Sequence, residues 1–410
     1  MERDLIRESA QAGRVVLWEE SARDGAQAKT VMSEDFRVQL ALAQGRMFGA
    51  DGPRHVVFAA GFPAVCAEEF EAVRRVAVEA EGAVSVAAVC RGRSADVRQA
   101  VLSVRGSAHA RIMVVVPASE PMARVMTRQS ASEALGSALS LLEVARDADD
   151  AVAVDLCFAD ASRADHDLMA ARAGELTAAG AGTILLADTV GAQLPSEARE
   201  MYTRVAAGAG PDTVLGTHQH NDLGLGLANT VEALRTGARV VSASWLGLAE
   251  RSGLPATEQL LLLLAHDPAR AAVLLGTDAP AWWTAPDLTA LPRLAGAVAE
   301  HTEHPLTVTM PVVGTGVGTI STGTPFVDPQ LFQPYDPQRV LGTAPRVLLT
   351  HLANTRVVHA VAERLGHRLD EAQARTATTW AKATVYRTGR AVVEDEAFAA
   401  YLDGLRETTK

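Results

Sequence analysis

The sequence lacks three features that would each place it in a distinct class of protein: paired cysteines, a long apolar run and an excess of basic residues. Its three cysteines, Cys66, Cys90 and Cys157, are widely spaced without a CxxC pair, which argues against a disulfide framework and for a reducing cytosol. No apolar run reaches the roughly 18 residues of a membrane-spanning helix, and the charged amino terminus lacks the apolar core of a secretory signal. The net charge of −11 leaves no overall field that attracts nucleic acid. We therefore expect a cytoplasmic protein without nucleic-acid or membrane partners.

The sequence does contain a regular alternation of apolar, β-branched runs with helical segments. The runs cover residues 15–18, 55–59, 84–89, 112–116, 151–157, 183–187, 213–217 and 239–244. Segments between them, such as 67–79 and 131–146, carry Ala, Leu, Glu and Arg at helical period. Eight alternations of strand and helix predict a (β/α)8 TIM barrel that closes near residue 265.

The 410 residues exceed what one barrel of about 250 residues needs. We predict a catalytic barrel over residues 1–279, a connector over 280–345 and a small, mostly helical C-terminal subdomain over 346–410. The turn-rich stretch 280–286 marks the first boundary, and the Gly- and Thr-rich stretch 311–325 is interpreted as an irregular linker. Because the helical part is small, we expect it to pack on a barrel, either its own or that of a partner.

Two histidines, His218 and His220, come directly after the seventh apolar run. In an extended strand, residues two apart point to the same side, so both imidazoles can be aimed at one point. A solvated pair at a strand end is the alternative for an isolated His-x-His. Together with Asp24 after the first run, they form an oxygen and nitrogen ligand set that suits Mn, Mg, Zn or Co. A turn or helix-cap role is the alternative for Asp24.

Other polar residues also follow the predicted strands, where barrel enzymes place their chemistry. They are Arg23, Gln27, Arg91, Ser119, Asp160, Arg163, Asp188, Thr189, Glu250 and Arg251. Arg23 is either a structural ion-pair partner or a group that stabilises a developing oxyanion. The polar groups thus collect at the mouth of the predicted barrel.

Five motifs resemble those of the DRE-TIM metallolyase superfamily and occur in the same order. They are SARDGAQ at 21–27, GFPA at 61–64, DTVG at 188–191, HQHNDLGL at 218–225 followed by Ala228 and Asn229, and GLAERSG at 247–253. The last is similar to the GxGERxG of the isopropylmalate and homocitrate synthases, which favours that branch over the hydroxymethylglutaryl-type lyases. The resemblance implies a Claisen condensation of acetyl-CoA with a 2-oxo acid that releases CoA and a 2-alkylmalate-type product.

The resemblance also implies roles for individual residues. Asp24, His218 and His220 would hold the divalent metal that chelates the 2-oxo acid. Arg23 and Glu250 would be catalytic, with a structural or acyl-loop role as the alternative for Glu250. Substrate would contact Gln27, Arg91, Ser119, Arg163 and Thr189, and acetyl-CoA would contact Gly247, Ala249 and Arg251. The synthases are intertwined homodimers, so we expect a homodimer here.

The sequence departs from the synthase pattern at several positions. Polar or acidic positions fall on Ala59, Met113, Cys157 and Ala159, which makes the pocket less charged and favours an apolar or unusual 2-oxo acid over 2-oxoglutarate. The family's Asn near the metal falls on Leu254. In the linker, PVVG at 311–314 is matched, but the two histidines and the tyrosine that assist proton transfer are absent, the tyrosine falling on Phe332. The candidate substitutes are His301, His304 and Tyr335.

These departures leave two alternatives to the synthase. The first is a carbon–carbon lyase or aldolase of the same superfamily, which does not need the missing pair. The second is a metal-binding but non-catalytic relative. Retention of Arg23, Asp24, His218 and His220 argues against the second alternative.

Overall fold

Eight parallel strands form a closed barrel in the computed structural model, which describes residues 4–28 and 30–407. The strands are β1 (Val16–Glu19), β2 (Val56–Gly61), β3 (Ser85–Arg91), β4 (Arg111–Pro117), β5 (Ala153–Ala159), β6 (Ile184–Asp188), β7 (Leu215–Gln219) and β8 (Val240–Ala243). Each pairs with the next in chain order, and β1 pairs with β8 to close the ring. The predicted TIM barrel is confirmed.

Helices connect the strands, as the alternating pattern predicts. They are α1 (Leu5–Gln11), α2 (Glu34–Met47), α3 (Gly52–His55), α4 (Ala67–Glu79), α5 (Ser94–Val104), α6 (Glu120–Met126), α7 (Ala131–Ala148), α8 (His166–Ala178), α9 (Pro195–Ala209), α10 (Gly226–Arg235), α11 (Thr257–Ala265), α12 (Pro268–Leu275) and α13 (Leu291–Thr302). Helix α7 begins with a capping box made by Ser130 and Glu133, which satisfies free N–H groups of its first turn.

Several strands extend further toward the barrel mouth than their apolar runs predict. Arg91 still pairs with Val115, and Asp188 still pairs with Gln219. Backbone pairing does not depend on an apolar side chain, so the ladder continues into Arg91 at the end of β3 and Asp188 at the end of β6. These two polar side chains are therefore carried by regular strand, which holds them more rigidly than a loop would.

The barrel interior combines a large aromatic residue with many smaller ones. Trp18 is fully buried, in a cluster with Ala59, Ala87 and Ala187 from other strands. Large and small side chains on different strands interdigitate to fill a barrel core at close packing. This cluster below the mouth is therefore closely packed and apolar.

The chain divides into two compact units between Pro305 and Leu306. Residues 280–305, which the sequence predicts to be part of the connector, belong to the barrel unit. Trp282 is buried there with its ring 5.3 Å from that of Phe48, and the backbone N–H of Trp283 donates to Nε2 of His55. Burial of aromatic surface explains why this stretch stays with the barrel. The three-part division into 1–279, 280–345 and 346–410 stays a prediction.

The second unit is mostly helical. Its elements are β9 (Thr319–Ile320), α14 (Gly323–Val327), α15 (Pro337–Leu341), β10 (Arg346–Val347), α16 (Thr355–Arg364), α17 (Glu371–Thr388) and α18 (Asp395–Glu407). Apolar residues of α16, α17 and α18, among them Val357, Ala381 and Phe398, form its core. In the part of the chain that the structure describes, no helix combines the length and apolar character of a membrane span.

Candidate metal centre

Asp24, His218 and His220 meet at the barrel mouth. Oδ2 of Asp24 lies 3.3 Å from Nε2 of His218 and 3.9 Å from Nε2 of His220. The two imidazole rings lie 5.1 Å apart, and all three side chains are buried. One ligand atom from each residue fits within 4.8 Å of the others, a spacing that allows one ion to contact all three.

The backbone explains why these three residues converge. His218 lies in β7 and His220 just after it, so both side chains point to the same face. Asp24 follows β1, and its Oδ1 accepts a hydrogen bond of 3.0 Å from the N–H of Glu250 in the loop after β8. That bond directs the second oxygen, Oδ2, toward the histidines.

Arg23 lies against the triad and is held by a carboxylate that the sequence motifs did not single out. Its Nε and Nη2 donate to Glu20 at 2.8 Å each, and its Nη1 lies 3.2 Å from Oδ2 of Asp24. Two parallel bonds between a guanidinium and a carboxylate fix the plane of the guanidinium. Arg23 is thus oriented before any substrate arrives.

The positive groups of the site keep its two carboxylates ionised. Burial alone would raise the pKa of Glu20 and of Asp24, but Arg23 and His218 outweigh it and hold the pKa of both carboxyls below the usual range. Burial likewise opposes the charge on Arg23, yet Glu20 and Asp24 keep its pKa above normal. Two ionised carboxylates thus face one guanidinium, and without a metal the second positive charge comes from the proton on His218, whose place a bound cation can take.

The histidines have the protonation behaviour of potential ligands. Burial, with a further contribution from His218, lowers the pKa of His220 to about 4, so its imidazole is neutral and keeps a lone pair. Burial opposes protonation of His218, but Asp24 and Glu20 raise its pKa, which shows that this point in the structure stabilises positive charge. Burial raises the pKa of nearby Cys157 to about 12, so it remains a thiol. The donor set therefore fits a divalent metal held by one oxygen and two nitrogens.

The loop at residues 247–253 is held against this centre by glycines and by Arg251. A side chain at Gly253, whose φ is +90°, would clash with the carbonyl of Gly247. Arg251 donates to Asp222 at 2.9 and 3.0 Å and to the carbonyl of Thr189 at 2.5 Å. The Glu250 side chain is half exposed and lies 3.4 Å from Arg251, so its backbone rather than its carboxylate contacts Asp24.

Glu258 at the start of α11 is a fully buried carboxyl that supports the same loop. Its Oε2 accepts the N–H of Leu246, whereas its Oε1 has no hydrogen-bond partner among the described residues. Burial raises the pKa of Glu258 from its usual 4.5 to about 7, and Glu19 nearby adds to the effect. The folded protein therefore holds a proton that the unfolded chain releases above pH 4.5.

We expect the free energy of unfolding to fall by up to about 3 kcal/mol as the pH rises from about 5 to about 8, because the raised pKa makes the folded state lose this proton at higher pH than the unfolded state. Glu258→Gln is neutral throughout and should remove that fall. Urea unfolding of both proteins at pH 5 and pH 8 measures it. Parallel pH dependence in the two proteins would contradict the assignment.

Three of the predicted substrate-binding residues are joined by Asp160. Ser119 donates its hydroxyl to the Asp160 carboxylate, and Arg163 pairs with the same carboxylate at 2.8 and 2.9 Å. The N–H of Asp160 donates to Thr189 Oγ1 at 2.8 Å. Asp160 is buried with a left-handed backbone, whereas Arg163 is about half exposed and can face a ligand. Their binding of substrate remains a prediction.

The other candidates are engaged elsewhere or exposed. Arg91 pairs with Asp96 at 2.5 Å, and Gln27 lies exposed on the short 3-10 helix Gly25–Ala28. His301 stacks on Phe36 with ring centroids 3.9 Å apart, and its Nε2 accepts the N–H of Ser33. These contacts give His301 a packing role within the barrel unit. His304 is exposed, and Tyr335 lies in the second unit.

Sequence comparison places the barrel among known proteins. A family model described as HMGL-like matches residues 14–295. The 2-isopropylmalate synthase of Aliarcobacter butzleri is 32% identical over 253 residues, which cover 61% of this chain and 47% of that protein. The 2-isopropylmalate synthase of Neisseria gonorrhoeae is 31% identical over 260 residues, covering 63% and 42%. The chain spans about half the length of the curated relatives it matches.

Structure comparison finds the same barrel in solved enzymes. The hydroxymethylglutaryl-CoA lyase of Pseudomonas aeruginosa aligns with a TM-score of 0.56 and 21% identity, covering 70% of this chain and 93% of the lyase. A lyase from Acinetobacter baumannii, solved with coenzyme A and 3-methylmalate, aligns with a TM-score of 0.55 and 20% identity, covering 72% and 92%. At these identities the likeness concerns the fold.

Proposed function

The chain belongs to the HMGL-like family, and we propose that it is a metal-dependent enzyme that condenses acetyl-CoA with a 2-oxo acid. The observation that carries this proposal is the buried triad of Asp24, His218 and His220 with the oriented guanidinium of Arg23 beside it. The curated relatives named 2-isopropylmalate synthase support the choice of reaction.

The triad and Arg23 suit carbonyl chemistry. A divalent ion, when bound, supplies a Lewis acid that polarises the keto group of a 2-oxo acid. Arg23 contributes a fixed positive charge 3.2 Å from Asp24, where it can stabilise the negative charge that develops on the substrate oxygen. Because Glu20 already holds Arg23 in one plane, little reorganisation is needed when that charge appears.

The walls of the barrel below the triad favour a substrate without a charged side chain. Ala59, Met113 and Cys157 belong to the buried apolar cluster of the barrel interior. A carboxylate placed against such a surface would lose its hydration without gaining a partner, which is costly. We therefore propose a 2-oxo acid with a short aliphatic side chain over 2-oxoglutarate.

A lyase of the same superfamily is the second candidate. Residues 305–350 contain no histidine, so the proton-transfer pair that the synthase resemblance implies has no counterpart there. Cleavage of a 2-hydroxy acid or a hydroxyacyl-CoA at the same triad would not need that pair. The arrangement of Arg23 and Asp24 is compatible with both formation and cleavage of a carbon–carbon bond.

A thiol-release assay separates the two candidates. We expect the protein with Mn²⁺, Mg²⁺, Co²⁺ or Zn²⁺ to release CoA from acetyl-CoA when an aliphatic 2-oxo acid is present, and to do so more slowly with 2-oxoglutarate. Incubation of 2-hydroxy acids and hydroxyacyl-CoA thioesters with the same samples tests cleavage. Cleavage without CoA release would favour the lyase over the synthase. Absence of both activities would exclude both candidate functions.

The homodimer implied by the synthase resemblance stays a prediction. In such an assembly the second unit of one protomer would cover the active site of the other and exclude water from a reactive intermediate. Light scattering of the intact chain at micromolar concentration tests the state of assembly.

A further inference from the structure

Glu20 is a buried carboxylate at the barrel mouth, one residue beyond β1. Val16 and Trp18 of the same strand belong to the interior cluster, and side chains two apart share a face, so the strand directs Glu20 inward. Its side chain has no exposed surface. A buried charge of this kind is costly unless specific partners compensate it.

The first partner of Glu20 is Arg23. Both oxygens of Glu20 accept from Arg23, at 2.8 Å each. This pairing occupies Nε and Nη2 and leaves only Nη1 to approach Asp24. Without Glu20, the whole fork of Arg23 would be free to pair with Asp24 through two bonds, since that is the favoured arrangement of a guanidinium and a carboxylate.

The second partner of Glu20 is His218. Oε1 of Glu20 lies 3.5 Å from Nδ1 of His218, on the side of the ring away from Asp24. A proton on Nδ1 directed at this oxygen leaves the lone pair of Nε2 facing Asp24 and His220. Histidine ligands of metals commonly have such a carboxylate behind them, which fixes the tautomer and increases the basicity of the ligating nitrogen.

We infer that Glu20 is a positioning residue for the metal centre, which orients His218 through its Nδ1 and holds Arg23 away from pairing fully with the Asp24 oxygen that faces the histidines. The inference rests on the metal-binding part of the proposed function. It does not depend on which carbon–carbon reaction the centre performs. Glu20 is therefore testable by metal binding alone, without an assay of turnover.

The test compares metal affinity in three proteins freed of metal by a chelator: the unchanged protein, Glu20→Ala and Glu20→Gln. Calorimetric titration with Zn²⁺ and with Mn²⁺ should show affinity about 10- to 100-fold weaker in Glu20→Ala, the range typical for loss of a partner behind a ligand. Glu20→Gln keeps an oxygen that can accept the Nδ1 proton of His218 but loses the charge that holds Arg23. Its metal affinity should therefore lie between those of the unchanged protein and Glu20→Ala. Because glutamine has nearly the same shape as glutamate, Glu20→Gln still tests the inference if the alanine variant does not fold.

Glu258→Gln is the matched control, since it also replaces a fully buried carboxyl near the mouth by an amide, at a residue that contacts Leu246 instead of Arg23 or a triad histidine. Its metal affinity should equal that of the unchanged protein. The absorption spectrum of the Co²⁺-loaded protein adds a second readout. It should shift in Glu20→Ala and stay unchanged in Glu258→Gln, because of these two residues only Glu20 contacts a ligand histidine.

A double-mutant cycle separates the two actions of Glu20. In an Arg23→Met background, Glu20→Ala should cost less affinity than in the unchanged protein, because no guanidinium remains to capture Asp24. An equal cost in both backgrounds would overturn the Arg23 part of the inference. Unchanged affinity in every Glu20 variant, with metal bound by the unchanged protein, would overturn the inference and leave the proposed function standing. Failure of the unchanged protein to bind a divalent ion would overturn both.

Discussion

His218→Ala is expected to abolish metal binding and turnover together. His218 supplies one of only three ligand atoms that the described residues bring within 4.8 Å of one another, so its loss leaves two. Losing a residue that only hydrogen-bonds to a metal ligand typically weakens metal affinity or activity about 10- to 100-fold. Losing a ligand itself should have a larger effect, so we expect turnover to fall by well over about a hundredfold.

Metal content after dialysis and calorimetric titration of the metal-free variant measure the first effect, and the CoA-release assay measures the second. His166→Ala, at the first position of α8 and outside the triad, is the matched control and should retain both. Full metal occupancy in His218→Ala would remove this histidine from the centre. Lost turnover at full occupancy would assign His218 to substrate instead.

Arg23→Lys is expected to lower turnover by roughly a hundredfold or more while metal binding persists. Lysine keeps the positive charge but cannot pair with Glu20 through two parallel bonds and still reach Asp24, so the charge is no longer held where it is needed. The loss should appear in kcat more than in metal affinity. This pattern is the opposite of the one expected for a ligand.

Arg23→Ala is a less clean test than the sequence suggests. From the sequence, Arg23 is expected to act on the reaction with little effect on folding. The structure shows Arg23 buried between Glu20 and Asp24, and removal of one partner of a buried pair costs about 3–5 kcal/mol because it leaves the other charge uncompensated. Melting temperatures should therefore accompany the kinetics. Arg204→Lys, which alters an exposed pair with Asp167, is the matched control, and near-normal turnover of Arg23→Lys would exclude Arg23 from the mechanism.

Most of the barrel was predictable because its signals are local and repeated. Most of the strands are buried apolar runs, and all eight runs identified in the sequence overlap strands in the structure. The two metal histidines were predictable for the same reason, since a spacing of two residues in a strand fixes their common direction. Asp24 followed from its motif and its place after β1.

The roles of neighbouring residues depended on contacts outside their own strands. Arg91 was a candidate by position, but its partner is Asp96 in the first turn of the following helix, α5. Glu250 was a candidate for its carboxylate, whereas its backbone N–H is what reaches Asp24. His301, a candidate proton carrier, stacks on Phe36. Position at a strand end predicts the neighbourhood of a side chain but not its partner.

Glu20 shows this division most clearly. A spacing of three residues between Glu20 and Arg23 in the sequence is compatible with an ion pair, yet nothing local distinguishes it from the many surface pairs with similar spacing. Closing the barrel brings β7 and its His218 behind the same carboxylate. The sequence by itself determined the barrel and the two candidate histidine ligands, because periodicity and spacing act within one strand, and a motif added Asp24. Only the tertiary structure decided which groups orient those ligands, because that depends on how strands far apart in the chain meet at one end of the barrel.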